Sequence, residues 1–274
     1  MVIICDPIGG LGNQLFQIAN VISIALDNKA DWVIHKRKII PMYAFGHRDV
    51  YWNNLFKNIN AITIDLKKGY KYIEPKFSYQ KIIPNIYTPR TVLCGYFQSY
   101  KYFEHNKDKV LDLLINKEII HESQLILDNI KHELKQKNIN KEFEYVSVHV
   151  RRGDYLKFPK VHHVLDISYY KETIDKFNKN NTFFLIFSDD IDWCKNNITP
   201  ICPYNILVKN KDYNDLLLMS LCDHNIIANS SFSWWGAYLN SNINKQVYYP
   251  KKWFNEEGAQ DTQDLCPSKW IEIV

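Results

Sequence analysis

Two adjacent arginines stand in the run "YVSVHVRRGDY" (145–155) in a chain that otherwise builds its cationic surface from lysine, with five arginines against 29 lysines. A guanidinium is a planar, permanently charged fork that binds carboxylate or phosphate through two parallel hydrogen bonds, so the pair points to an oxyanion site. Val146, Val148 and Val150 alternate with Ser147 and His149, and strand side chains two apart leave the same face. On that pattern His149 and Arg151 share a face and Arg152 takes the other. Arg151 is the expected phosphate ligand. Arg152 either meets substrate or braces the loop by pairing with an acid such as Asp154. His149 is either a satisfied buried imidazole or a ligand contact beside Arg151.

A second cluster lies in "IIANSSFSWWGAYLN" (226–240), where small hydroxyls stand at a strand-to-helix turn. Free backbone N–H groups and the positive end of the helix dipole meet at such a turn and form an anion cradle. Asn229, Ser230, Ser231, Phe232 and Ser233 are therefore candidate binding positions. N-capping accounts for one serine but not for three. Trp234 and Trp235 are expected to pack the helix onto its sheet. "SDD" (188–190) follows the apolar run "FFLIF", and with Asp192 it spells the Asp-Ile-Asp of a metal-dependent sugar transferase. A strand-end carboxylate that caps the next helix is the commoner role, so Asp190 is read as a helper and no metal is expected. Asp215 opens another helix, where it either complements the N-terminal charge or accepts from the edge of a guanine.

"GGLGNQLF" (9–16) holds three of the nine glycines, which suits close approach of backbone to a ligand. Leu15 stands where a dinucleotide fingerprint needs its third glycine, and the lysine of a P-loop is missing, which disfavours a Rossmann oxidoreductase. Gly10, Asn13 and Gln14 sit at the start of the helix that follows. The two amides either cap it or reach a substrate hydroxyl, and a plain tight turn is the alternative for the glycines.

These residues need elements to carry them. "VIIC", the glycine turn and apolar residues at Leu15, Ile18, Ala19, Ile22 and Leu26 read as strand, turn and helix. Asn106 to Gln136 reads as a long helical stretch, broken near Ile120 and His121, and "KQKNINKEFE" after it is the expected domain boundary. From there strands alternate with helices: "YVSVHV", "SYYKETIDKFNK", "TFFLIFS", "IDWCKNN", "YNILV", "YNDLLLMSLCDHN", "IIAN", "FSWWGAYLN", "QVYYP". Alternation of this kind implies a parallel sheet covered on both faces, with ligands beyond the carboxyl ends of its strands. The arginine pair, "SDD" and "NSSFS" all fall at such ends.

Composition narrows the classes. At 274 residues and 46% hydrophobic content the chain can bury a core. A net charge of +4 spread over scattered lysines gives no nucleic-acid surface. Six cysteines form no CxxC pair, which suggests reduced thiols in the cytosol. No apolar run approaches the ~20 residues of a membrane span, and no basic leader opens the chain.

Taken together, "GGLGNQLFQIAN", "GYFQSYKYF", "VSVHVRRGDY", "FLIFSDDIDWC", "DLLLMSLCDHNIIANSSFSWWGAYLN" and "YYPKKWF" resemble, in order, the inverting alpha-1,2-fucosyltransferases that use GDP-fucose. The resemblance runs from residue 8 to 254. It implies an α/β chain of the GT-B type, two Rossmann-like domains facing a cleft, divided as 1–140 on the acceptor side and 141–274 for GDP-fucose. Carried over by position, Arg151 would neutralise the diphosphate, His149 and Asp215 would lie near the nucleotide, Ser230, Ser231 and Ser233 would line phosphates or ribose, and Asn13 would face the cleft. Ile18 and Tyr238 depart from commoner aromatic residues, as packing changes.

The reaction implied is transfer of L-fucose to the 2-hydroxyl of a galactose in a glycan acceptor, with inversion and neither cofactor nor metal. Asp154, at the same strand end, is the nominee for the base, with a salt bridge to Arg152 as its alternative role. Family members with a membrane anchor carry it before the glycine motif, so a cytoplasmic bacterial or viral form is expected. The rival readings are a noncatalytic nucleotide- or glycan-binding protein and a transferase using another GDP-sugar. Tyr96, Phe97 and Tyr100 could stack on a sugar, though Phe97 reads better as core.

Overall fold

The computed structural model describes residues 1–42, 46–84, 88–137, 139 and 141–274, with the backbone alone at 40–42 and 46–48. Residues 138 and 140 of the expected boundary segment lie outside the described residues. The chain forms two compact units, one of residues 1–116 and 260–267, the other of 117–259 and 268–274. The division thus falls before the long helix at 117–136, not at residue 140. Leu127, Ile130 and Leu134 explain why: they pack with Phe183, Leu185 and Leu218 in a core cluster of the second unit.

The first unit contains β1 (Val2–Cys5), α1 (Leu11–Asp27), β2 (Asp31–His35), β3 (Ile40–Met42), β4 (Gly46–Arg48), β5 (Ala61–Ile62), β6 (Tyr70–Ile73), β7 (Arg90–Cys94) and α2 (Lys107–Leu114). Its sheet runs β5-β2-β1-β7-β6 with every pair parallel, while β3 and β4 pair antiparallel on their own. Leu15, Phe16, Ile18, Ala19 and Ile22 are fully buried on α1. An apolar helix of this kind is stable only when covered, which fixes it at the heart of its unit. Gly9 makes the turn before it, with φ of +79, a conformation that costs an L side chain about 1 kcal/mol or more.

The second unit contains α3 (Lys117–Gln136), β8 (Glu144–Val150), α4 (Ile167–Ile174), β9 (Thr182–Ser188), α5 (Ile191–Asn197), β10 (Asn205–Val208), α6 (Asp212–Ser220), β11 (His224–Ile226), α7 (Ser231–Leu239), β12 (Val247–Pro250) and β13 (Ile271–Ile273). Its six strands run β10-β9-β8-β11-β12-β13, all parallel. Val146, Val148 and Val150 pack with Tyr169, Tyr170 and Ile174 of α4 on one face of the sheet. Leu218 and Met219 of α6 cover Leu185 and Phe187 on the other. Trp234 and Trp235 are fully buried, Trp234 stacked on Tyr238 with ring centroids 4.7 Å apart.

The helical stretch breaks at Ile115 and Asn116 rather than near Ile120, and Asn116 Nδ2 there donates to the carbonyl of Asn54 at 3.1 Å. Helix α6 ends at Ser220, and the strand that follows is His224–Ile226 rather than "IIAN". Among the described residues no helix is long and apolar enough to cross a membrane. All six cysteines are free.

Candidate active site

The arginine pair follows directly on β8, at the carboxyl end of the second unit's central strands. Arg151 Nη2 meets Asp154 Oδ1 at 2.6 Å, and Nη1 meets Asp189 Oδ2 at 3.0 Å. Its carbon Cζ lies 5.4 Å from the centre of the Tyr155 ring. Burial works against the Arg151 charge, but Asp189 and Asp154 outweigh it and hold the guanidinium above its ordinary pKa. Nε of Arg151 is buried and has no hydrogen-bond acceptor. A buried donor left without an acceptor is costly, so this half-buried fork is held in place with its inner N–H unmet.

Arg152 turns the other way, as the alternation requires. Its Nε donates to Asp190 Oδ2 at 3.1 Å, its backbone N–H to Asp189 Oδ1 at 2.9 Å, and its guanidinium lies 4.3 Å over the Trp193 ring. Arg152 therefore braces the loop, but through Asp190, while Asp154 pairs with Arg151. The alternative of an Arg152–Asp154 bridge is thus not the pairing found, and the reason is positional: the turn after β9 brings both Asp189 and Asp190 up to the pair. Gly153 makes the approach possible, since a Cβ there would stand 2.8 Å from Asp189 Oδ2.

Asp190 also caps α5 by accepting from the Trp193 N–H at 3.1 Å, as the sequence suggests. Asp192 is 90% exposed and bonds Lys195, so Asp-Ile-Asp assembles no joint ligand set. Among the described residues no group of three or more His, Cys, Asp or Glu is placed to hold a metal ion.

His149 is buried, with Nδ1 2.8 Å from Ser233 Oγ and its ring 5.5 Å from that of Phe232. Burial, aided by Arg151, pushes its pKa down to about 3. It is a neutral interior bracket rather than a surface group. Ser233 is fully buried, which corrects its expected place along a phosphate: its hydroxyl is occupied by His149, with the carbonyls of Ala228 and Ser230 both 3.4 Å away as acceptors for its single hydrogen. Ser230 caps α7 by accepting from the Phe232 N–H at 3.3 Å. Ser231 and Phe232 are half-buried at the helix tip.

Asn229 is a staple. Its Nδ2 donates to the carbonyls of His163 at 2.8 Å and Trp253 at 2.7 Å, and its own carbonyl accepts from the Tyr155 hydroxyl at 2.8 Å. Asp215 accepts from Asn210 Nδ2 at 2.9 Å and holds its own loop; burial raises its pKa.

Tyr155, Asp189 and His162 belong to this cluster without having been singled out as binding positions. His162 stacks on Tyr155 at 4.1 Å, nearly coplanar. The tyrosine was visible in "RRGDY"; nothing in the His162-His163 pair marks the first of them as a partner of that tyrosine.

In the first unit, Gln14 is fully buried, and its Nε2 donates to the Gly9 carbonyl at 3.1 Å. It secures the glycine turn, and full burial leaves it no surface to offer a substrate hydroxyl, a further correction. Asn13 is half-buried and its Oδ1 accepts from Gln98 Nε2 at 2.9 Å. Gly10 starts α1 with open space where a Cβ would be. Phe97 is core. An open hollow of about 930 Å³, lined by Lys68, Tyr70 and Arg90 among others, lies at the amino ends of β6 and β7 and includes none of the candidate residues.

Two parallel sheets with covering helices are the architecture found by comparison. The solved structure of the fucosyltransferase NodZ from Bradyrhizobium superposes with a TM-score of 0.55 at 14% identity, over 87% of this chain and 93% of that one, which establishes the GT-B-like α/β fold. The alpha-1,2-colitosyltransferase of Escherichia coli is 29% identical over 99% of both chains. The galactoside alpha-(1,2)-fucosyltransferase 2 of Mus musculus is 25% identical over 85% of this chain and 67% of its own length. The sequence profile of glycosyl transferase family 11 matches residues 3–274, so that the fold, the arginine pair and the serine-capped helix stand in a chain that belongs to glycosyl transferase family 11.

Proposed function

We propose that the chain moves L-fucose from GDP-fucose to the 2-hydroxyl of a galactose unit in a glycan, with inversion and without a metal. The observation that carries this is Arg151: a guanidinium fixed at both terminal nitrogens, with a buried N–H left unmet, at a strand end of a family 11 transferase. In the reaction the acceptor hydroxyl attacks the anomeric carbon from the face opposite GDP, and negative charge develops on the departing β-phosphate. Arg151 supplies the countercharge, with the α7 tip at Ser231 as a second source of donors. A preorganised donor aimed at developing charge stabilises the transition state by roughly 3 kcal/mol. His149, Ser233, Asn229 and Arg152 act behind it by holding β8, α7 and α5 in register. Asp154, nominated as base, is better suited to orienting Arg151, since it is committed to that guanidinium. The first unit, with Asn13 and Gly10, takes the acceptor side.

A second reading is favoured by the colitosyltransferase relative: a different GDP-activated deoxyhexose, delivered through the same phosphate contacts. Incubation of the purified chain with lactose and, in parallel, GDP-fucose or GDP-colitose, followed by mass and linkage analysis, separates the two. Fucosyl-lactose linked through galactose O2 is the expected product. Transfer from GDP-colitose alone overturns the donor assignment, and binding of GDP with no transfer from any donor overturns the enzymatic one.

A further inference from the structure

The first unit holds a carboxylate that the reading above leaves without a role. Glu74 follows β6 at the carboxyl end of its sheet, where parallel α/β sheets take their ligands. Its Oε2 accepts the backbone N–H of Tyr96 at 2.7 Å and its Oε1 that of Phe97 at 3.0 Å. Gly95 permits the approach, because a Cβ there would lie 2.5 Å from Glu74 Oε2. Phe97 is held at φ of +52, in the left-handed region that side-chain-bearing residues seldom adopt and that clusters at functional sites. The next residue, Gln98, bonds Asn13. One short loop thus ties Glu74 to the residue already placed at the start of α1.

Glu74 is half-buried, and among the described residues no cation is paired with it. The titratable groups acting on it are Asp261, from the segment 260–267, and the hydroxyls of Tyr72 and Tyr102. Burial raises its pKa to about 7; the Phe97 and Tyr96 N–H groups pull against that and Asp261 adds to it. Stability alone would select against a partly buried carboxylate beside a second carboxylate and without a cation, and groups so placed mark functional sites.

We propose that Glu74 is the general base of the transfer, the group that takes the proton from the acceptor hydroxyl. The assignment rests on the glycosyl-transfer reading and on the first unit as its acceptor side. As the acceptor oxygen bonds to the anomeric carbon, its O–H bond breaks and the proton passes to a Glu74 carboxylate oxygen. The bond from that carbon to the β-phosphate oxygen breaks, and its electron pair leaves with GDP. Each carboxylate oxygen has two acceptor sites, so the backbone N–H bonds leave room for a hydroxyl. A base that titrates near the working pH transfers protons most efficiently.

The test compares the full chain with Glu74→Gln, which keeps the shape and one acceptor oxygen. With GDP-fucose and a galactose-terminated acceptor, kcat is expected to fall by roughly 100-fold or more. GDP affinity, read by calorimetry, should stay within about twofold of wild type. In the wild type, kcat/KM for the acceptor should fall tenfold per unit as pH drops below about 7, and that limb should vanish in Glu74→Gln. Formate added to Glu74→Ala should restore part of the rate, which a purely structural loss would not allow. A wild-type profile with no limb near pH 7, or a Glu74→Gln chain that keeps more than about a third of wild-type kcat, overturns the proposal. Absence of transfer by the wild type sinks the functional reading and this assignment together, and is distinguished by being seen before any substitution.

Discussion

His149 Nδ1 and Ser233 Oγ meet at 2.8 Å in the interior, joining the end of β8 to the first turn of α7. The strand that delivers Arg151 and the helix whose tip carries Ser231 are thereby registered against each other by one buried hydrogen bond. The bond explains why a histidine stands two residues before the arginine and a serine three residues after the α7 cap: neither needs to touch ligand to matter.

Because folding holds His149 neutral, its pKa falls from an ordinary 6.5 to about 3. Between those values the unfolded chain binds a proton that the folded chain refuses, so stability declines as pH falls through that window, by at most about 1.4 kcal/mol per unit. Glu74 works in the opposite sense: its raised pKa favours the folded state at low pH, and that contribution fades as pH rises toward 7. The two are separated by substitution. Urea unfolding of wild type and His149→Gln at pH 5 and pH 7 should show the wild type losing about 2 kcal/mol more than the variant on acidification. Equal losses would remove His149 as the group responsible.

Arg151→Ala should lower kcat by about 100-fold or more with GDP-fucose and weaken GDP binding. Arg151→Lys should recover little of it, because an ammonium is a single point of charge and cannot hold Asp154 and Asp189 while presenting a fork to phosphate. Both variants leave carboxylates short of a partner, so melting temperature has to be read alongside. A lysine variant with near-normal kcat and Kd would mean that charge alone suffices.

Gly153→Ala probes the same place without removing a charge. The added methyl meets first the Asp189 side chain, at 2.8 Å from Oδ2, 3.1 Å from Cγ and 3.6 Å from Cβ, and the carboxylate has to swing away. In swinging it gives up Arg151 Nη1 and the Arg152 N–H. The expected outcome is a fold that still melts cooperatively but is about 1–3 kcal/mol less stable than wild type, with kcat/KM for GDP-fucose down by tenfold or more.

Most of the second unit was readable from sequence because β8 and β9 are seven-residue, largely apolar runs divided from their neighbours by turn signals, and because the tryptophans of α7 and the cap at Asp190 follow local rules, whereas the three-residue β13 carries no such signal. What the sequence hid was partnership. Gln14 and Ser233 are polar in type, yet one serves the Gly9 carbonyl and the other His149, so both sit inside. Which acid meets which arginine depends on the turn after β9, residues distant in sequence from the pair. The helix break came at Asn116 because a tertiary bond to Asn54 holds it there. Glu74 was invisible for a related reason: it lies among strands of two to five residues with little periodicity, and its environment is made by the backbone turn that follows the neighbouring strand β7, 22 residues on.

Gly9 and Gly10 look alike in sequence and should behave oppositely. Gly9 has φ of +79, and a Cβ on it would meet Asn13 Nδ2 at 2.6 Å. Gly9→Ala should therefore cost more than ~1 kcal/mol of stability and displace Asn13 as well. Gly10 adopts φ −73 and ψ 175, open to any residue, and nothing lies within 4 Å of its missing Cβ. Gly10→Ala should fold as well as wild type, with a melting temperature unchanged or slightly raised by the stiffer unfolded chain. If the turn approaches substrate as proposed, that silent methyl should still lower kcat/KM by about tenfold, the scale of one misplaced contact. Full activity in a well-folded Gly10→Ala chain would place the substrate elsewhere on the first unit.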